Sequence, residues 1–493
     1  MVEILKSNAD IEKYQVSVAR CIVEKLATTE NLIKINTDRA EDFLLGNIED
    51  EFLKKIFSER TYQFENCEIP LCANDIGPFE DYGFPLKKII NKLGVVKFYN
   101  CDVYAESFTS GTPVLFDHCF FKRIWQLPNA NALEMQDCLY VDCTFEGKVH
   151  SLEGWSEHCK YTAPQFKACS FRDKISVVNS EFLSKFFVES KASNLKGAMK
   201  NIAVEDSLFH EKFLCNEYDS VELVDIRGSK FKSKFEMKSC SIDVMKLIDT
   251  NVDGLIDFYS SKIICFEAKK CIFKGLSVFE KCVFGNNVSE LNQTAFFEYV
   301  TFSGLVNFRS AEFCSGLKLD KANFIEEANF LDTEVHPKQT NRETFRIIKH
   351  SFDDVGNYLE GNKYFALEMK KYREEISNNR WWNQDRIAYW FNEEISGYGQ
   401  NYFRPMELVI ALGLINYLLM ACKNSNCLYK ILPELLKKPV DMIATFANDF
   451  AMAIFPIKRF LYPEMEFISL VSYPIFGVLF WQLIVAVKRH TRR

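Results

Sequence analysis

Five polar residues lie inside apolar sequence near the C-terminus, and their types and spacing could do chemistry. Asp441, Thr445, Asn448 and Asp449 recur at helical intervals within VDMIATFANDFAMAIFPI at 440–457, and Asn416 interrupts an apolar run upstream. A polar stripe of this kind holds water and cations, whereas an asparagine among apolar residues bonds to a neighbouring helix. The other reactive group is thiol: the chain has 17 Cys, with no C-x-x-C pair among them. H-E-x-x-H, P-loop, G-x-S-x-G and G-x-G-x-x-G motifs are all missing, and none of the seven His has metal-ligand spacing. The expectation is therefore no catalysis, no cofactor, and no catalytic, cofactor-binding or metal residue.

Composition narrows the class. With 48% hydrophobic and 26% charged residues, the 493-residue chain must fold, so disordered and collagen-like classes are excluded. The net charge of −7 is spread without a basic stripe, so no nucleic-acid partner is expected. MVEILKSNADIEKY lacks the apolar segment of a secretory signal, which places the soluble mass in the cytoplasm and keeps its thiols reduced.

The elements that must position these residues begin with a repeat. From about 98 to 330 a pattern recurs: apolar, two variable, small, one variable, apolar. FYNCDV (Phe98, Cys101, Val103), FDHCFF, YVDCTF, FKACSF, MKSCSI and FEKCVF are instances. First positions at 226, 237, 247, 258, 268 and 279 give a period of 10 or 11, two five-residue sides, so a four-sided coil needs about 21 residues. The apolar residue fills the centre, and the small one, two places earlier, fits a corner. Cys101, Cys119, Cys143, Cys169, Cys240, Cys271 and Cys282 all occupy that small slot. They read as small buried hydrophobes in preference to a metal or redox ladder, because Ser, Thr and Ala serve there too. The 45 Phe are explained by the central column.

AEF at 311–313, ANF at 322–324 and ANF at 328–330 resemble the A-[DN]-L units of pentapeptide-repeat proteins. That resemblance implies a mainly β fold, an irregular right-handed quadrilateral β-helix over 96–333. Insertions are expected around 122–135 and 146–165. Residues 1–95 read as a mostly helical N-terminal cap, which would cover an open solenoid end. Helical spacing of Phe345, Ile348, Phe352, Val355 and Leu359 makes 334–405 a helical linker and juxtamembrane region.

A transmembrane region, 406–493, follows. Met406–Cys422 and Phe467–Val487 are apolar runs; at 1.5 Å per residue the second reaches ~31 Å, enough to cross a bilayer. The KRHTRR tail argues for a cytoplasmic C-terminus, and hence for two spans with both termini inside. A third span at 440–457 would bury Asp449 at a cost of ~2.5–3.5 kcal/mol and break that parity, so a re-entrant or interfacial amphipathic helix is expected there.

Repeats followed by GNKYFALEMKKYRE, SGYGQNYFRP at 396–405, two spans and a basic tail resemble bacterial pentapeptide-repeat membrane proteins with a C-terminal, two-transmembrane, ion-channel-like region. AIFPIKRF stands where a potassium channel carries its TVGYG-type filter, so potassium selectivity is not implied. The resemblance implies an α-helical transmembrane hairpin in a bacterial inner membrane. It implies a homo-oligomer whose solenoid answers a cytoplasmic protein partner or trigger, the layout of a channel-like or membrane-perturbing effector in phage defence. Asp441, Thr445, Asn448 and Asp449 would then line the water path. The competing reading is a membrane-tethered interaction scaffold without a pore.

Overall fold

The structure, a computed structural model, describes all of the chain except residues 1–3, 6, 30–35, 73–83, 108–112, 129–136, 152–158, 189–198, 287–292, 378–382, 424–438, 455–465 and 492–493. Two compact units divide it, Met1–Thr340 and Asn341–Arg493.

The first unit is a parallel β-solenoid. Ile242, Leu247, Val252 and Ile256 are all buried, about five residues apart. Each pairs with the residue 21 positions on or nearly so: Ile263, Ala268, Phe273 and Ser277. Four sides and a 21-residue coil follow. Some strands run through a corner without a turn, such as Ser241–Ile248 and Lys262–Lys269, so two sides merge into one 16-stranded sheet. The centre is stacked aromatic: Phe98, Phe116, Tyr140 and Phe166 lie ring on ring at 5.2–5.7 Å. Offset stacks at this spacing add to the burial that holds successive coils together.

Corners recur from coil to coil with a shared device. The residue just before the small slot is left-handed: Asn100, His118, Asp142, Ser239, Lys270 and Lys281 have φ of 49–56°. That conformation turns the chain, and the small residue then caps it. Cys119 Sγ donates to Asp117 O and to Phe98 O of the preceding coil, each at 3.4 Å. Thr250 Oγ1 does the same to Ile248 O and Ile226 O at 3.0 and 3.1 Å. The thiol or hydroxyl adds to backbone donors already there, since Asn100 N donates to Asp117 O at 2.9 Å and Gly228 N to Ile248 O at 3.0 Å.

The solenoid begins earlier than the boundary at 96. Helices α1 (Asn8–Thr29), α2 (Thr37–Leu45) and α3 (Glu51–Ser58) come first, followed by α4 (Lys87–Ile90). Between them Thr61–Glu65 already pairs in parallel with Val95–Tyr99. Only the segment before residue 61 is helix-dominated; the short α4 interrupts a coil. Parts of the expected insertions are regular as well. Trp125, Val149 and Ile175 stack in register on one side. Turn chemistry there departs from the repeat, but inward burial does not.

In the second unit, α5 (Arg342–Asp354) and α6 (Tyr358–Ile376) form an antiparallel-type pair capped by Asn341 and Asn357. Phe352 stacks on Tyr364 at 5.6 Å, and Arg346 holds the buried Glu368 at 2.9 Å. Next come α7 (Gln384–Ser396), α8 (Phe403–Lys423), α9 (Pro439–Ile454) and α10 (Glu466–Thr491).

Candidate membrane-spanning site

Two of these helices are long and apolar enough to cross a membrane, α8 over Phe403–Met420 and α10 over Glu466–Thr491. Their windows are only 22% buried in each case. A core helix of a soluble protein would hide most of such a surface. Phe467 is 75% exposed, Leu470 and Trp481 65%, Ile484 61% and Leu418 58%. Both helices thus present large apolar side chains outward along their length.

Polar groups on the same helices turn inward. Asn416 is 2% exposed, and Ser472 Oγ donates to its Oδ1 at 3.2 Å, joining α8 to α10. Asn416 Nδ2 is buried with no hydrogen-bond partner among the described residues. Between the helices lies a small core of Val409, Phe476 and Leu479, shared with Ile395 from α7. Helix α9 packs on α8, with Phe446 edge-on to Tyr417 at 5.1 Å. A Cβ at Gly413 would stand 2.5 Å from Ile454 Cγ1, so the absence of a side chain permits that approach.

A polar latch closes the α7 end. Ser396 Oγ lies 2.9 Å from Gln482 Oε1, and Gln482 Nε2 donates to Asn392 Oδ1 at 2.5 Å. Ser396 Oγ also accepts from Gly399 N at 3.0 Å. Gly397, Tyr398 and Gly399 are all left-handed, φ 55–82°, forming the elbow between α7 and α8. Arg489 donates to Tyr398 O, and Asn362 Nδ2 to Arg489 O at 3.1 Å. The GYG at 397–399 is therefore an elbow.

Of the five residues read from the sequence, the side chains of Asn416, Asn448 and Asp449 are described. Asn416 is the inter-helix bonding group expected of it, within one chain. On α9, Asn448 is exposed and Asp449 half-buried. The side chains of Asp441 and Thr445 lie outside the described residues, as do 455–457 of the segment read as re-entrant. Sequence reasoning missed Ser472, Gln482, Ser396 and Asn392. Gln482 carried a signal, as the amide within the apolar run of α10; the others are ordinary polar residues until the helices pair.

Compared with protein-family models, curated proteins and solved structures, the chain matches none.

Proposed function

We propose that the chain is a membrane-anchored repeat protein: α8 and α10 form a hairpin in the bilayer, and the solenoid offers its regular outer surface to a protein partner. The segregation on the two helices carries this reading, with large apolar side chains outward and Asn416, Ser472 and Gln482 inward. Between two lipid-exposed helices, a polar side chain is tolerated only when it bonds within the protein. The basic end of α10, Lys488, Arg489 and His490, supports reading both ends of the hairpin as cytoplasmic, in a bacterial inner membrane.

A second reading makes the same hairpin a subunit of an oligomeric, cation-conducting effector. What favours it is α9, an amphipathic helix against α8 that carries exposed Asn448 and half-buried Asp449. Two helices enclose no water path, so this needs several copies.

Full-length protein reconstituted into vesicles should stay with lipid through an alkaline carbonate wash. Release of the unmodified protein would end the anchoring reading. Mass in detergent then separates the two forms: a monomer or dimer without ion flux leaves the tethered scaffold. A larger ring whose flux drops on Asp449→Ala establishes the pore.

A further inference from the structure

A cavity of about 660 Å³ lies between α6 and α7, in the unit that carries the hairpin. Its wall holds three cations, Lys370, Arg373 and Arg386, against the carboxylates of Glu374 and Glu393, and is therefore net positive. Both carboxylates are already held. Arg373 donates to Glu393, and Lys371, next along α6, pairs with Glu374 at 2.8 Å.

The α7 side of the cavity is apolar. Ile387, Trp390 and Phe391, at i, i+3 and i+4, share one face of the helix and are 40–48% exposed. Ile387 and Trp390 also line the cavity, so the basic wall runs directly into that exposed face.

A different face of α7 is fixed to the hairpin. Ile395 joins the core of Val409, Phe476 and Leu479, while Gln482 of α10 bonds to Asn392 and Ser396. Towards α6, Tyr389 meets Tyr372 edge-on at 4.9 Å. These ties hold α7 at one level along the two apolar helices, near the basic end of α10, where Arg489 donates to Tyr398 O.

Charge and position together indicate what fills the cavity. A helix with Trp and Phe on its outer face, fastened beside two spans, suits the bilayer interface, where aromatic rings sit at headgroup level. A free phosphate would meet the cations and leave the apolar face in water. A phospholipid covers both, with its phosphate among the cations and its chains over Ile387, Trp390 and Phe391. Arginine forks grip phosphate oxygens in pairs, and basic pockets on the cytoplasmic side of membrane helices take anionic headgroups.

We propose that the α6–α7 cavity binds the headgroup of an anionic phospholipid, with Lys370 and Arg386 on the phosphate and α7 lying in the interface. This rests on the anchoring reading above and deepens it: the hairpin holds the chain in the bilayer, and the cavity selects the lipid beside it.

The test uses full-length protein in detergent, mixed with phosphatidylglycerol or with phosphatidylcholine of identical acyl chains. Native mass spectrometry then counts the lipid kept by each protein molecule. The parent should keep phosphatidylglycerol about tenfold better than phosphatidylcholine, and Lys370→Gln/Arg386→Gln should abolish that preference. Lys488→Gln, which removes a cation outside the cavity, should leave the preference standing. Trp390→Ala should lower retention of both lipids alike, since the chains lose cover while the charges stay. Lys370 is exposed and Arg386 half-buried, so the double variant should keep the far-ultraviolet circular dichroism of the parent. Should it not, Lys370→Gln alone should cut the preference about fivefold. Equal retention of the two lipids by the parent overturns the proposal, as does a folded double variant that keeps the preference. Displacement of the lipid by millimolar inorganic phosphate would assign the cavity to a soluble anion and overturn it too. Anchoring is read separately, by the carbonate wash. Release of the parent ends that reading, whereas a parent that stays with vesicles but keeps both lipids equally ends only this inference.

Discussion

Ser472 Oγ donates to Asn416 Oδ1 across 3.2 Å, and the two residues, 56 apart in sequence, pin α10 to α8 from inside the hairpin. The amide nitrogen of the same asparagine is left unmatched among the described residues. Their contributions to the hairpin are therefore unequal.

Ser472→Ala removes the one side-chain bond Asn416 makes among the described residues and leaves its amide buried. It should cost about 0.6 kcal/mol, the average for hydrogen bonds between membrane helices, and at most about 1.7 kcal/mol. Asn416→Leu removes bond and orphan together and should cost less than Ser472→Ala. Unfolding by increasing dodecyl sulfate in mixed micelles reads both; a larger loss for Asn416→Leu contradicts the assignment.

Where the solenoid turns between sides, coils approach backbone to backbone. A Cβ on Gly275 would stand 2.4 Å from Gly254 O and 2.6 Å from Gly254 C. Backbone cannot yield as a flexible side chain can, so Gly275→Ala should destabilise by about 2–4 kcal/mol, the range of overpacked or strained core sites. Thermal denaturation followed by circular dichroism checks it, and a melting point within a degree of the parent would contradict this close approach.

Lys270 holds φ 53° at a corner. A β-branched side chain is strained there, so Lys270→Val should lose about 1–2 kcal/mol, whereas Lys270→Gly or Lys270→Asn should be neutral or better. Denaturant midpoints on the three variants suffice, and the ordering is the test. Were valine the most stable of them, the corner would not be left-handed in solution.

Glu236 is buried, which pushes its pKa up, yet Lys234, Asn216 and Lys238 outweigh burial and hold it below its ordinary value of 4.5. A carboxylate with a depressed folded pKa contributes stability above the unfolded value, and that contribution is lost as pH falls through the folded one. The solenoid should therefore weaken as pH drops below about 4.5, with Glu236 one of the groups responsible. Urea midpoints at pH 7 and pH 3 should differ more for the parent than for Glu236→Gln. Identical pH slopes would show that Glu236 is not held low.

How much of this was legible beforehand differs by element. The inward alternation of Cys240 with Ile242, or Cys271 with Phe273, was visible because each pair lies two residues apart and recurs at a fixed period. Both apolar runs of the hairpin were visible for a similar reason, since hydropathy is summed along a contiguous stretch. Left-handed corner residues were not, because Asn100, His118, Asp142, Ala168, Lys270 and Tyr299 share no side-chain chemistry. Their conformation is imposed by the pairing of the coils on either side, against their own preference.

The sequence by itself determined the repeat, the four-sided coil and two helices long and apolar enough to span a membrane, since each rests on a local pattern of apolar residues. Tertiary structure alone decided which distant residues meet. Cys67, Cys101, Cys119, Cys143 and Cys169 stack at one corner but lie 34, 18, 24 and 26 residues apart, intervals too uneven to suggest one column, and only the strand register between coils aligns them. Asn416 meets Ser472 in the same way: a lone amide finds its partner when helices pair, because desolvation leaves it no water to bond instead.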